Sequence, residues 1–155
     1  MNHGELIERA TKWLKNNSVS CMRFPIILTE YRCYANSFPD VMGMNHDRTI
    51  VIECKVSHQD YLADQHKNHR QHRFQLGNLR YYLCPAGLIA FDEVGRGWGL
   101  LYCHPHKITI EKQSEEFTKE QTRTQEYQVM YSIIRRLTSF DDHDRTLELL
   151  RGMSR

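Results

Sequence analysis

The run Thr49-Ile50-Val51-Ile52-Glu53-Cys54-Lys55-Val56 constrains the fold more than any other segment of the chain. Its β-branched, apolar residues predict a strand that is buried at the centre of a sheet. Side chains alternate along a strand, so Glu53 and Lys55 should point to one face, and Ile50, Ile52, Cys54 and Val56 to the other. Charged residues are rare in buried strands. The pair Glu53 and Lys55 therefore indicates either a functional site or an ordinary ion pair.

A second strand is predicted directly before this one, over Val41–Met44, and the polar turn Asn45–Arg48 joins the two into a hairpin. With that turn, Met44 opposes Thr49, and following the antiparallel ladder outward brings Asp40 opposite Glu53. Directly opposed β-carbons lie roughly 5 Å apart, and like charges at that spacing destabilise a sheet. A divalent cation bound by both carboxylates would offset the repulsion.

The other patterns predict helices and strands in an order typical of an α/β domain. In chain order they are a helix over 5–16, strands over Pro25–Tyr31, Val41–Met44 and Thr49–Val56, a helix from Ser57 to about His72, strands over Leu79–Cys84, Trp98–Cys103 and Lys107–Lys112, and helices from Ser114 onward. With 155 residues and 40% hydrophobic residues, the chain can bury one sizeable core. We expect a single domain over 1–155, with its core over about 1–112 and a C-terminal helical extension over about 113–155.

Charge gives a local signal only. The formal net charge of +2 fits a nucleic-acid enzyme, a metabolic enzyme or an adaptor equally well. Between Gln65 and Phe91, however, the chain has no carboxylate and carries four strongly basic residues: Lys67, Arg70, Arg73 and Arg80. These residues are consistent with a phosphate-contacting surface, and equally with a solvated basic helix.

The chain lacks an apolar run long enough to cross a bilayer and lacks the start of a secretory signal, which favours a cytoplasmic protein with reduced thiols. The segment Cys103–His106 together with Cys84 is a weak zinc signal, because paired CxxC spacing is missing. The acids Asp60 and Asp64, one helical turn apart, are more often a pair that caps a helix and faces solvent than a pair of metal ligands.

The C-terminal part of the chain has an apolar stripe at helical spacing: Tyr127, Met130, Tyr131, Ile134 and Leu137. Such a stripe most often faces the core. If the core is already closed, the stripe would instead serve dimerisation.

The residues around the hairpin carry a resemblance to a known family. Pro39-Asp40, followed by Glu53-Cys54-Lys55 on the next strand, resembles the PD-(D/E)XK nuclease superfamily. The stretch from Glu53 to Asp64 is similar to the E-x-K-x-S-x-x-D-[FY]-x-x-D pattern of its MmcB-like DNA-repair branch. Glu30 matches an acid that this branch also carries. The resemblance covers about Pro25 to Cys103, and Cys54 stands where Val or Ile is more usual.

The resemblance implies a restriction-endonuclease-like core and hydrolysis of DNA phosphodiester bonds with Mg²⁺ or Mn²⁺, in DNA repair, recombination or phage-type DNA processing. It implies that Asp40, Glu53 and the backbone carbonyl of Cys54 bind the metal and that Lys55 is the catalytic lysine. Glu30 would be either a further ligand or an acid that supports the ligands. Residues expected to contact nucleic acid are Ser57, Lys67, Arg70, Arg73 and Arg80.

A second hypothesis comes from a different functional class. The nuclease fold could be a catalytically inactive module that binds nucleic acid or a protein partner. The C-terminal helices, which the resemblance does not cover, would then provide a homodimer or protein-partner surface. DNA is the expected nucleic acid, and RNA remains open.

Overall fold

A computed structural model describes residues 1–16, 23–33, 38–65 and 76–138. Within these ranges the chain forms a six-stranded sheet flanked by helices. The elements are α1 (His3–Asn16), β1 (Ile26–Thr29), β2 (Val41–Met44), β3 (Thr49–Cys54), α2 (His58–Gln65), β4 (Leu79–Pro85), a 3₁₀ turn (Phe91–Glu93), β5 (Gly99–Cys103), β6 (Ile108–Lys112) and α3 (Lys119–Thr138).

The strands lie side by side in chain order from β1 to β6. Neighbours are antiparallel except for β3 with β4 and β4 with β5, which are parallel. The sheet is therefore mixed, and the predicted α/β class is confirmed.

The central strands are buried on both faces of the sheet, and each face has its own apolar core. Ile50, Ile52 and Cys54 of β3 pack with α1, whereas Val51 packs in a second cluster with residues of α2 and α3. α1 contributes Leu6, Ala10 and Leu14, whose four-residue spacing places them on one helical face. The sheet thus separates α1 from α2 and α3.

The starts of the first two helices are fixed by side-chain caps. Asn2 accepts the Glu5 amide through Oδ1 at 2.9 Å, and Glu5 accepts the Asn2 amide at 2.8 Å, a reciprocal capping box. The predicted cap of α2 is also present, since Ser57 Oγ accepts the Asp60 amide at 3.1 Å. α2 consequently begins directly after β3 and returns along the sheet.

The hairpin forms with the predicted register. Met44 pairs with Thr49. The turn is closed by a 3.0 Å hydrogen bond from the Asn45 amide to the Arg48 carbonyl. Asn45 Oδ1 also accepts the amides of Asp47 at 2.9 Å and Arg48 at 2.7 Å. An Asx-type turn therefore fixes the alignment of β2 and β3.

Several predicted boundaries differ from the structure. β3 ends at Cys54 and Val56 is 38% exposed, because the chain leaves the sheet to reach the Ser57 cap. Helix formation does not begin at Ser114, whose hydroxyl accepts the Arg80 amide at 3.0 Å, but at Lys119. The predicted continuation of α2 to His72 and the predicted final helix at 147–150 lie outside the described residues.

The prediction that the apolar stripe of α3 faces the core is wrong. The buried residues of this helix are mostly polar: Thr122, Gln125, Val129 and Ser132. All five stripe residues are exposed, by 44 to 64%: Tyr127, Met130, Tyr131, Ile134 and Leu137. The two apolar cores on either side of the sheet are already filled by other residues, which leaves the stripe outside.

Among the described residues, no helix combines the length and apolar character needed to cross a membrane.

The cysteines in this part of the chain form no disulfide. Cys84 and Cys103 are buried, and His104 Nε2 lies 2.9 Å from Thr109 Oγ1.

Candidate functional site

The two acids of the hairpin lie next to the last paired residues of β2 and β3. Val41 pairs with Ile52, and Asp40 and Glu53 are the next residues outward on the two sides. The observed register up to this pair is the one that the sequence predicts. Glu53 is only 6% exposed, whereas the side chain of Asp40 is 19% exposed.

Asp40 is held by two different elements. Its Oδ2 accepts a 2.7 Å hydrogen bond from the Cys54 backbone amide, and its Oδ1 lies 3.3 Å from Nε2 of His3 at the start of α1. A hydrogen bond from a backbone amide to an ionised carboxylate is a strong one, so it holds the Asp40 carboxylate against β3. His3 was not predicted, because no local pattern links the first turn of α1 to a residue in the hairpin.

The pKa of the Cys54 thiol depends on both acids of the hairpin. Burial raises the pKa of the Cys54 thiol far above its ordinary value, and the negative charges of Asp40 and then Glu53 raise it further. The positive charge of Lys55 opposes them with a smaller effect. Both carboxylates therefore lie close enough to Cys54 to act on its thiol.

Lys55 extends the parallel pairing of β3 with β4, since its amide donates to the Leu83 carbonyl at 2.8 Å. Its side chain is almost fully buried, and its Nζ lies 3.3 Å from Oδ1 of Asp64 on α2. Asp64 is 0% exposed, and its Oδ2 accepts a 3.2 Å hydrogen bond from the hydroxyl of Tyr82. The prediction that Asp64 caps a helix or faces solvent is wrong. The carboxylate instead anchors the lysine ammonium.

Aromatic residues close the side of the site next to β4. Tyr82 is the register partner of Glu53. Its ring stacks on Trp98 with centroids 4.5 Å apart and meets Tyr61 edge-on at 5.0 Å. Burial raises the pKa of Tyr61 to about 12. Glu53 and Lys55 are 6% and 4% exposed, and charges interact more strongly at buried positions than in water.

An open cavity of about 280 Å³ lies on the other side of Asp40, lined by Glu30, Arg32, Phe38 and Asp40. The Glu30 amide donates to the Asp40 carbonyl at 2.9 Å. Glu30 has a φ of 47°, an uncommon conformation for a residue other than glycine. The structure thus brings Glu30 beside Asp40 at a solvent-facing cavity, while Glu53 is on the buried side.

The donor set fits one kind of metal site. No group of three or more His, Cys, Asp and Glu side chains is arranged to hold a metal ion within residues 1–16, 23–33, 38–65 and 76–138. Mg²⁺, however, is usually held by one or two carboxylates, with water and substrate phosphate as its other ligands. Asp40 and Glu53 would be the two carboxylates of such a site.

The residues predicted to contact nucleic acid have three different outcomes. Lys67, Arg70 and Arg73 lie outside the described residues. Arg80 is 3% exposed; its Nε donates to the carbonyls of Leu76 and Gly77 at 3.0 Å, and its guanidinium lies 3.5 Å from the Phe117 ring centroid. The predicted phosphate contact does not fit this burial, because the guanidinium is enclosed by the protein. Ser57 is exposed and caps α2.

No protein-family model matches the chain, and no curated protein matches it significantly. Among solved structures, the chain is similar to the SPO1766 protein of unknown function from Silicibacter pomeroyi, with a TM-score of 0.58 and 17% sequence identity. The match covers 93% of this chain and 94% of that one. At this identity the likeness concerns the fold alone.

Proposed function

We propose that the protein is a metal-dependent nuclease with a restriction-endonuclease-like core that hydrolyses phosphodiester bonds in DNA. The observation that carries the proposal is the hairpin register, which brings Asp40 and Glu53 to the neighbouring ends of β2 and β3, with Lys55 two residues after Glu53. Two carboxylates and a lysine close together are groups that a metal-dependent hydrolase can use. Asp40 and Glu53 both raise the pKa of the buried Cys54 thiol, which supports their closeness to this residue.

Each residue of the site has a proposed role. Asp40, Glu53 and the Cys54 backbone carbonyl would hold Mg²⁺ or Mn²⁺. The bound cation would supply Lewis-acid polarisation of the phosphate and a lower pKa of water. Lys55 orients the attacking water or stabilises negative charge on the phosphate. His3 keeps the Asp40 carboxylate in place, at 3.3 Å from Oδ1.

The alternative is a non-cleaving module that binds nucleic acid or protein, and one observation favours it. Lys55 is only 4% exposed and its ammonium is paired with a fully buried carboxylate, Asp64. If the Lys55–Asp64 ion pair does not break when a substrate binds, Lys55 has a structural role only. The two hypotheses therefore differ in whether Lys55 takes part in chemistry.

A cleavage assay separates them. We expect the purified protein to nick supercoiled plasmid or degrade single-stranded DNA when Mg²⁺ or Mn²⁺ is added, and to be inactive with EDTA. Asp40→Asn, Glu53→Gln and Lys55→Met should each lower the rate by at least about 100-fold, the range seen when an acid-base or electrostatic group is removed. Asp47→Asn is the matched control, because Asp47 is an acid in the turn of the same hairpin and pairs with Lys119 at 2.7 Å.

The result that rejects nuclease function is a folded wild type that is inert on single-stranded DNA, duplex DNA and RNA with both metals. Filter binding with the same substrates then tests the alternative. Binding without cleavage that Asp40→Asn leaves unchanged would support the inactive module.

A further inference from the structure

The outer face of α3 has the opposite polarity to that of an ordinary surface helix. Surface helices bury an apolar stripe and expose polar residues. α3 buries Thr122, Gln125 and Ser132 together with Val129, and Ile133 packs partly buried against the same core. Its exposed side carries the apolar stripe defined above, and two of those rings, Tyr127 and Tyr131, stack with centroids 6.5 Å apart.

This orientation is fixed by hydrogen bonds on the inner face. The Tyr31 hydroxyl donates to Ser132 Oγ at 3.1 Å, and Asn78 Nδ2 donates to Thr122 Oγ1 at 3.5 Å. Rotating the helix to bury the stripe would break these bonds and leave buried polar groups without partners, which is costly. The apolar side consequently stays outward, as an exposed apolar patch of the kind that marks a surface for a binding partner.

The spacing of the stripe indicates what that partner is. Tyr127, Met130, Ile134 and Leu137 follow one another at intervals of 3, 4 and 3 residues, the a and d positions of two heptads. This series of intervals reads the same in both directions. When two such helices run antiparallel, Tyr127 faces Leu137 and Met130 faces Ile134, so the surface is complementary to itself, as a two-fold interface requires.

Charge selects the antiparallel arrangement. One turn before Tyr127, the same seam continues with Arg123, which is exposed. In a parallel pair the two copies of Arg123 would face each other across the seam, and like charges so placed repel. In an antiparallel pair they lie at opposite ends.

We propose that α3 forms a two-fold, antiparallel interface with a second copy of this chain through the stripe. Two heptads make a short seam compared with a standard interface of about 800 Å² per partner. The dimer should therefore be reversible, forming at micromolar concentrations and dissociating on dilution.

Sedimentation velocity of the full chain tests the proposal. Wild type should shift from monomer to dimer between roughly 1 and 100 μM, and Ile134→Lys should raise the dissociation constant by more than about tenfold, because each copy places a charge in the seam. Ile26→Lys is the matched control, since Ile26 on β1 is 53% exposed against 56% for Ile134 and lies off α3. It should dimerise as wild type does.

Orientation has its own test. Met130→Cys and Ile134→Cys proteins should form an oxidised heterodimer when mixed, and much less crosslink when each is oxidised alone. Crosslinking of each variant with itself would overturn the antiparallel arrangement. Two results would overturn the interface: a folded wild type that stays monomeric at 100 μM and above, or equal dimerisation of Ile134→Lys and wild type. The stripe would then be assigned to residues 139–155 or to another protein.

Discussion

The buried pair Lys55 and Asp64 should dominate the response of this protein to single substitutions. Asp64→Asn keeps the side-chain shape and an oxygen for the Tyr82 hydroxyl, but it removes the negative charge 3.3 Å from the ammonium. The side chain of Lys55 is 5% exposed, so water does not replace the lost partner. Breaking a buried pair by removing one member costs about 3 to 5 kcal/mol.

The neighbouring carboxylate of Glu53 partly compensates, which places the expected loss near the lower end, at about 3 kcal/mol. That is a large share of the 5 to 15 kcal/mol over which domains are stable, so the variant should unfold at clearly lower urea. Lys55→Met should cost a similar amount, because it leaves the Asp64 carboxylate buried without its cation.

The double variant Lys55→Met/Asp64→Asn removes both charges together. Its loss of unfolding free energy should be much smaller than the sum of the single losses, with a coupling energy of about 2 kcal/mol or more in a double-mutant cycle. Urea unfolding followed by circular dichroism measures all four proteins. Losses that add within about 0.5 kcal/mol would refute the ion pair as a stabilising unit.

Three further predictions concern other parts of the structure. The Asp40→Asn side chain can still accept the Cys54 amide, so without metal the Tm of this variant should equal or exceed that of wild type. Added Mn²⁺ should raise the Tm of wild type only. Equal Mn²⁺ responses of the two proteins in a thermal-shift assay would contradict the proposed cation site. Burial raises the pKa of Tyr61 to about 12 from about 10, so its contribution to stability is complete below pH about 10 and is lost as pH rises through 12; urea unfolding from pH 9 to 12 should show a smaller loss in Tyr61→Phe than in wild type, and equal losses would contradict this role of Tyr61. Gly99→Ala would place a Cβ against the Tyr81 ring and 2.7 Å from the Lys112 carbonyl oxygen, an overpacking that should cost about 1 to 3 kcal/mol, and an unchanged Tm would contradict this close packing.

The hairpin was predictable from sequence because its determinants are local. The turn Asn45–Arg48 is polar and short, so counting outward from Met44 and Thr49 was enough to give the observed pairing as far as Val41 and Ile52, the residues next to Asp40 and Glu53.

The role of Asp64 could not be predicted in this way. Asp60 and Asp64 are one helical turn apart, a spacing that acids on solvated helices share. Only the packing of α2 against the sheet distinguishes them, since it places Asp64 beside Lys55 and Tyr82. His3 was missed for a related reason, because its contact with Asp40 joins positions 37 residues apart.

α3 shows a third limit of sequence patterns. The period of its apolar residues located the helix correctly, since all five stripe residues lie within α3. A period identifies which residues share a face, but it does not say whether the rest of the chain covers that face. The polar residues Thr122 and Ser132 face inward because Asn78 and Tyr31 offer hydrogen bonds there.

The closed turn of the hairpin has a consequence for how this protein can change over generations. Met44, the residue before the turn, lies four positions along the chain from Asp40, which is roughly 13 Å in a strand. One residue inserted into or deleted from the turn would shift the pairing and turn Asp40 toward the wrong face relative to Glu53. Natural variants of this chain should therefore keep the length of this turn constant. Its amino acids can differ, provided that a residue able to accept the backbone amides is kept at the position of Asn45.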